Sequence, residues 1–432
     1  MIKKLKGPGR IFNSIIKMHL IVIFEFKIEI TVPSSKSICN RVLIINALSG
    51  NSSLPQHISD CDDTRVMVHW LTSRPDVVDI GAAGTAMRFS TALLSLTEGT
   101  HVITGSERMR QRPISVLVNA LRELGAEIDY LANDGFPPLS ICGNPSMKGG
   151  TVSLRGDVSS QYISALLMVA PYMLEGLTLN LTGRVISRPY IDMTLSLMRD
   201  FGASAGWTDH NTLRVEHGAY RQRYFMVEGD WSGCSYWYEI LALSDDVEEV
   251  LLPGLFAKSL QGDSAVAEIF AHLGIATEFI EHEGVSCARL RKAQIPVGRF
   301  EYDFVNQPDL AQTVVVTCCM MGVPFHFTGL STLKIKETDR INALKVEMGK
   351  LGYTLKDAHD SELSWDGEHR QLSVEELNQV AIDTYDDHRM AMAFAPCCLK
   401  MGTIRVNHPE VVSKSYPAFW NNLESAGFII GR

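Results

Sequence analysis

Five times along this chain an amphipathic stretch ends on an apolar residue and a glycine, then gives way to β-rich sequence: Leu124-Gly125, Phe201-Gly202, Leu273-Gly274, Leu351-Gly352 and Ala426-Gly427. A glycine there suits the residue just past a helix, where a left-handed backbone is needed. The glycines recur at roughly 72 to 78 residues, too long for a solenoid, so the pattern predicts a repeated α/β unit. A sixth copy is expected around 64–71, but its helical pattern runs into Ser73-Arg74-Pro75 and on to Gly81, so that unit lacks its closing strands. Six units divide as three and three, with Val227-Glu228-Gly229-Asp230 as the crossing point.

A chain of 432 residues is too long for one ordinary core, which also favours two domains. The net charge of −9 argues against a general nucleic-acid binder, and no apolar run is long enough to span a bilayer. Nine cysteines, without a C-x-x-C pair or zinc-ligand spacing, suggest buried thiols in a reducing cytosol. The basic start imitates a signal peptide, but Lys17 and His19 interrupt the apolar stretch and no small-residue cleavage site follows. Residues 21–32 are expected to form a strand, 1–17 an extension of unclear role, and Met18 is a candidate start.

Basic turns recur at expected helix starts. Lys336-Glu337-Thr338-Asp339-Arg340 precedes Ile341 and Leu344 at helical spacing; such a turn can hold an anion and move a proton, although an Asp339 or Thr338 cap would look the same. Pro33 to Arg41 offers Lys36, Ser37 and Arg41 as an anion cradle without a Walker loop. Gly84 in Gly81-Ala-Ala-Gly84-Thr85-Ala-Met-Arg88 lets backbone approach a ligand, and Arg108, Arg110 and Arg112 crowd together before Pro113. Ser159-Ser160-Gln161 and Ser187-Arg188 offer neutral donors or simple caps. Asp309 is a cap or a general base, and Asp386-Asp387-His388-Arg389 and Ser413-Lys414 complete the series. Lys36, Arg41, Arg88, Arg112, Arg188, Lys336, Arg340, Arg389 and Lys414, facing one cleft, suit a small, multiply anionic ligand; the acidic group near His388 lacks partners for a metal site.

With these turns in place the chain resembles the 5-enolpyruvylshikimate-3-phosphate synthases. The matching stretches are PSSKSICNR, GAAGTAMR, RMRQRP, SSQYISALL, SRPYIDMT, VEGD, QGD, QPD, KETDRI, TYDDHRMAM and SKSYP, running from Pro33 to Pro417. The resemblance implies an inside-out α/β fold of two similar domains, each of three βαβαββ units: 33–230 forms one, and 18–32 with 231–432 the other. It implies transfer of the carboxyvinyl group of phosphoenolpyruvate to the 5-hydroxyl of shikimate 3-phosphate, without metal or cofactor, in a cytoplasmic monomer that glyphosate inhibits. By motif position, Lys36, Gly84, Arg112, Gln161, Arg340, Arg389 and Lys414 would hold phosphoenolpyruvate. Lys36, Ser37, Arg41, Ser159, Ser160, Gln161, Ser187, Asp309 and Lys336 would hold shikimate 3-phosphate. Asp309 would accept a proton and Glu337 donate one, with Lys36 beside them.

Three places depart from the family pattern. Ala82 stands where Asn is usual, Thr332-Leu333-Lys334 replaces Asn-Trp-Arg, and Trp231-Ser-Gly-Cys-Ser235 replaces a run of small residues. The rivals are the related UDP-N-acetylglucosamine enolpyruvyl transferase, against which the SSQ, KETDR and DHRMAM turns speak, and an inactive anion-binding paralogue, which would need neither Asp309 nor Glu337.

Overall fold

The computed structural model describes residues 15–19, 27–51, 53–293 and 295–431, for 15–19 the backbone alone. One unit shows the plan. Strand Val77–Asp79, helix Gly84–Leu96, strand Gly99–Thr104, helix Ser115–Glu123 and strands Glu127–Tyr130 and Leu139–Gly143 follow in order. The first two strands pair in parallel (Val77 with Val102), and the last returns antiparallel between the second and third. The same order recurs in Gly150–Arg155, Leu177–Thr182, Thr212–Val215, Ala205–Trp207 and in Phe300–Asp303, Phe325–Thr328, Glu362–Trp365, Lys356–Ala358. Alternation explains the strands: Leu177, Leu179 and Leu181 of one are buried and the residues between them are not.

Two units are assembled from distant parts of the chain. Strand Lys27–Glu29 pairs in parallel with Glu249–Pro253, so 33–230 is inserted between a strand and the rest of its own unit. The last unit takes a strand from the start: Ile15–His19 lies antiparallel between Thr403–Asn407 and Ile429–Gly431. Residues 15–17 therefore belong to a sheet, which corrects the reading of them as an extension without a role. The expected strand over 21–32 is found only as Lys27–Glu29; residues 20–26 lie outside the described residues.

All five repeat glycines have left-handed backbones, with φ between 88° and 104°. In the shortened first unit Arg74 takes that place, at φ 45°, and Val77 already begins the next unit. Its missing closing strands are replaced by the chain around 225–229, bridged to it at Ser34–Gly229 and Gln56–Met226.

The first helix of every unit is buried. Lys36–Leu48, Gly84–Leu96 and Ser160–Val169 pack together in a core formed between Ile38 and Val227. Trp231–Leu243, Ala311–Met321 and His388–Phe394 do so in a second core, formed by 28–32 and the chain from Trp231 onward. A helix apolar on all faces, such as Ala311–Met321, is stable only when enclosed, and the sheets enclose it. All six starts carry polar residues singled out above.

Glu239, wholly buried in the second core, is an exception to apolar packing. Burial pushes its carboxyl well above the usual range, and neither oxygen has a hydrogen-bond partner among the described residues, the nearby Thr317 hydroxyl donating to the Thr313 carbonyl instead. A carboxyl raised in the folded state binds its proton more tightly there, so its contribution falls as pH rises past the ordinary glutamate value, by at most about 1.4 kcal/mol per pH unit. Glu239→Gln should remove that decline. Denaturant midpoints measured from about pH 5 to about pH 8 would show the two proteins diverging with pH, and parallel curves would contradict it.

Candidate active site between the two cores

Arg340 opens helix Arg340–Lys350 and is 1% exposed. Asp339 caps that helix, accepting from the Asn342 N–H at 3.1 Å. The cap and the chemistry are therefore adjacent but distinct. The Arg340 guanidinium holds three carboxylates: Asp309 through Nη1 at 2.9 Å, Glu337 through Nη2 at 2.9 Å and Asp387 through Nε at 2.7 Å. Lys336 reaches Asp309 at 3.3 Å, and Arg389 reaches its other oxygen at 3.1 Å. Asp309 is thus no helix cap; it is the shared partner of three cations.

These charges set the protonation states. Burial pushes Asp309 up, but Arg389, Lys336 and Arg340 together override it and hold the carboxyl well below the usual range. Glu337 is also held well below it: burial works upward, while Arg340 leads the opposing charges, with Arg112 and Lys336 among them. His388, buried beside Lys36 and Arg389, is held well below an ordinary histidine by burial first, so it is neutral, and neither ring nitrogen has a hydrogen-bond partner. The two carboxyls are thus held low together, and the difference that donor and acceptor roles call for is not set by these side chains alone. The reason is that Arg340 binds both.

The first core faces this cluster with its own helix starts. Lys36, the first residue of its helix, lies 3.4 Å from Asp63. Burial opposes its charge, but Asp63 leads the anions that push it up to about 12. The Glu337 charge is also felt by Lys36, Asp63 and Arg112 of the first core. A Cβ on Gly84 would fall 2.7 Å from both the Arg112 and Arg88 guanidiniums, so a side chain there would push those flexible ends off the helix start. Arg88 donates to the Gly84 carbonyl at 2.7 Å and its Nε is buried without a partner. Burial, then Arg88, pulls Arg112 down to about 10. Two cations repelling each other at a helix start suit an anion between them. Gln161 joins them by donating to Thr85 at 3.2 Å.

Other expected residues take supporting places. Every guanidinium nitrogen of Arg41 is used by the protein, on Thr194, the Ser37 carbonyl, Ser164 and the Tyr190 carbonyl, so Arg41 fixes the turn that carries Lys36 and Ser37. Ser159 caps its helix by accepting from the Gln161 N–H, and Ser160 is buried beside it. Ser187 stands at φ 52° and its N–H donates across to the Val305 carbonyl at 3.0 Å. Lys414 donates to the Asp386 carbonyl at 2.5 Å. Arg188 does not face the cleft; it stacks on Trp207 at 3.8 Å and donates to the His210 carbonyl. Ala82 is exposed, and the Thr332 hydroxyl is buried without a partner.

Sequence reasoning missed Asp63, because acidic residues in a first helical turn look like ordinary dipole partners. It also missed the contacts that cross between the cores: Ser413 donates to Asp62 at 2.6 Å, and the Tyr190 hydroxyl to Asp263 at 3.2 Å. Gly262 packs so closely on Pro189 that a Cβ would fall 2.4 Å from the proline Cβ. Asp387 was noticed only as part of an acidic run, whereas it orients both arginines, binding Arg340 and accepting from the Arg389 N–H at 2.9 Å.

A family model for EPSP synthase (3-phosphoshikimate 1-carboxyvinyltransferase) matches residues 70–423. The 3-phosphoshikimate 1-carboxyvinyltransferase of Bacteroides fragilis is 57% identical over 404 residues, covering 94% of this chain and 96% of that one. The same-named protein of Shewanella pealeana is 36% identical over 430 residues, covering 92% and 96%. The structure of EPSP synthase from Acinetobacter baumannii superposes with a TM-score of 0.76 at 20% identity, covering 97% of this chain and 100% of that one, which shows a shared fold.

Proposed function

The chain belongs to the EPSP synthase family, and from that premise we propose that it transfers the carboxyvinyl group of phosphoenolpyruvate to the 5-hydroxyl of shikimate 3-phosphate, releasing phosphate. The observation that carries this reading is the pair Asp309 and Glu337 on one buried guanidinium, set against the cations of the other core. That is an acid/base pair inside a site for anions.

Asp309, ionised, accepts the proton of the attacking hydroxyl. Glu337 protonates the methylene carbon of phosphoenolpyruvate, which leaves cationic character at the neighbouring carbon where the hydroxyl oxygen bonds. The now ionised Glu337 takes back a methyl proton, which restores the double bond as the bond to phosphate breaks, and the proton held by Asp309 leaves with the phosphate. For Glu337 to donate, its carboxyl must first be protonated. Substrate anions do this by engaging Arg112, Lys336 and Arg340 and adding negative charge beside it, so that the upward push of burial prevails.

In this reading Lys36, Gly84, Arg112, Gln161, Arg340, Arg389 and Lys414 hold phosphoenolpyruvate. Ser37, Ser159, Ser160, Gln161, Ser187, Lys36, Lys336 and Asp309 hold shikimate 3-phosphate, with Arg41 shaping their turn. The two cores act as domains that approach over the substrates, the first within 33–230 and the second joining strands Ile15–His19 and Lys27–Glu29 to the chain from Trp231 onward. The lack of a side chain at Gly84, which leaves the Arg112 guanidinium over that turn, supports competition by glyphosate at the phosphoenolpyruvate position. Among the described residues no helix is long and apolar enough to cross a membrane; eight of the nine thiols are buried and all are free, which supports a reducing cytoplasm as the setting, and the monomer rests on the resemblance alone. Phosphate release should require both substrates together and proceed in metal-free buffer. Binding of shikimate 3-phosphate without release would refute the transferase reading.

A further inference from the structure

The segment that carries Asp387 and Arg389 has an unusual backbone. Tyr385 and Asp386 are consecutive non-glycine residues at φ 53° and 55°, a left-handed conformation that side chains resist. Something must impose it, and the contacts identify what does. Glu347, wholly buried, accepts from the Tyr385 hydroxyl at 2.6 Å and from the Asp383 N–H at 3.1 Å. Lys350 pairs with Glu347 at 2.7 Å and with Asp383 at 2.8 Å, and donates to the Ala381 carbonyl at 3.1 Å. Asn407 donates to the other Asp383 oxygen at 2.7 Å.

Glu347 lies seven residues, two turns, beyond Arg340 on the same helix, so both side chains point to one face. That face grips the 383–387 segment at both ends: Arg340 holds Asp387, and Glu347 holds Asp383 and Tyr385. Between the grips, the left-handed pair turns the Asp386 carbonyl to Lys414. Asp387 in turn fixes the Arg340 guanidinium and the start of the Arg389 helix.

We infer that Glu347 and the Tyr385 hydroxyl are positioning residues for the transferase reaction: through the strained 385–386 turn they set Arg340, Arg389 and Lys414 at the spacing phosphoenolpyruvate requires. Neither residue touches substrate. The inference rests on the assignment of those three cations to phosphoenolpyruvate. Shikimate 3-phosphate is held mainly by the first core, so loosening the turn acts on one substrate more than the other.

Steady-state kinetics on Tyr385→Phe test this, because the change removes one hydroxyl from a side chain that is 36% exposed. The KM for phosphoenolpyruvate should rise about tenfold and that for shikimate 3-phosphate by less than about twofold. The thermal midpoint should stay within about 2 °C. Glu347→Ala should show the same split more strongly, with Glu347→Gln, which keeps an acceptor oxygen, recovering part of it; if Glu347→Ala does not fold, Tyr385→Phe decides. Unchanged constants, or equal rises in both, would overturn the inference while leaving the assignment of the reaction intact. No turnover in the unsubstituted protein would overturn both.

Discussion

Glu337→Gln should lower kcat by roughly 10²- to 10⁴-fold, the usual contribution of a positioned general acid, while leaving the KM for shikimate 3-phosphate nearly unchanged. The amide is isosteric, can still accept from Arg340 and cannot give up a proton to carbon. The effect should be confined to the chemical step, so single-turnover measurements should show binding intact and adduct formation slow. Arg112→Ala is the complementary case. Its guanidinium lies over the Gly84 helix start, and Arg88 already repels it there. Removing it relieves that repulsion in the empty protein but deletes an anion partner, so the KM for phosphoenolpyruvate should rise by about 10²-fold with a smaller fall in kcat. If both variants lost kcat and KM to the same degree, the roles given to Glu337 and Arg112 would be wrong.

Arg340→Ala should be the most damaging change to the fold within the site, costing about 3–5 kcal/mol of stability as well as activity. The reason is bookkeeping of charge: the variant leaves Asp309, Glu337 and Asp387 without their common partner, and Asp387 is fully buried. Arg389 and Lys336 still serve Asp309, but Asp387 keeps only the Arg389 N–H and a distant His388. Because a carboxylate left buried without a counter-ion is tolerated only once protonated, the loss should be greatest at neutral pH and shrink as pH falls. Arg340→Lys restores the charge yet cannot reach three carboxylates with one ammonium group, so it should recover stability in part and little activity. A denaturant midpoint for Arg340→Ala within about 1 kcal/mol of the unsubstituted protein would contradict this account.

The repeat was legible because its marker is steric: only glycine enters the left-handed region cheaply, and the five glycines all occupy it. Arg74 performs the same task without any mark in the sequence, so the first unit could be recognised only by what it lacked. Gly84, Arg112, Asp309 and Arg340 were legible because charged or glycine-rich turns before apolar helices are rare enough in combination to mean something. Asp63 was hidden by resembling a first-turn acid, and the common ionised state of Asp309 and Glu337 was hidden because it depends on both touching the same arginine. The strand at Ile15–His19 was beyond reach for another reason: its two neighbours in the sheet lie near the opposite end of the chain.

That strand also orders events during synthesis. The buried residues of the first core come from one continuous run of chain, and all of them have been made once Val227 is added. The second cannot close then, for strand Lys27–Glu29 waits for Glu249–Pro253, and Ile15–His19 waits for residues 403–431. Ile15–His19 is therefore made before nearly all the rest of its sheet and is among the last strands to find its neighbours, and until then its edges stay open. Because Ile15–His19 and Ile429–Gly431 are neighbours in one sheet, those two strands can be linked directly and the chain reopened elsewhere, and the exposed loop 221–224, just before the buried boundary between the cores, is the natural place to cut it in a circular permutant.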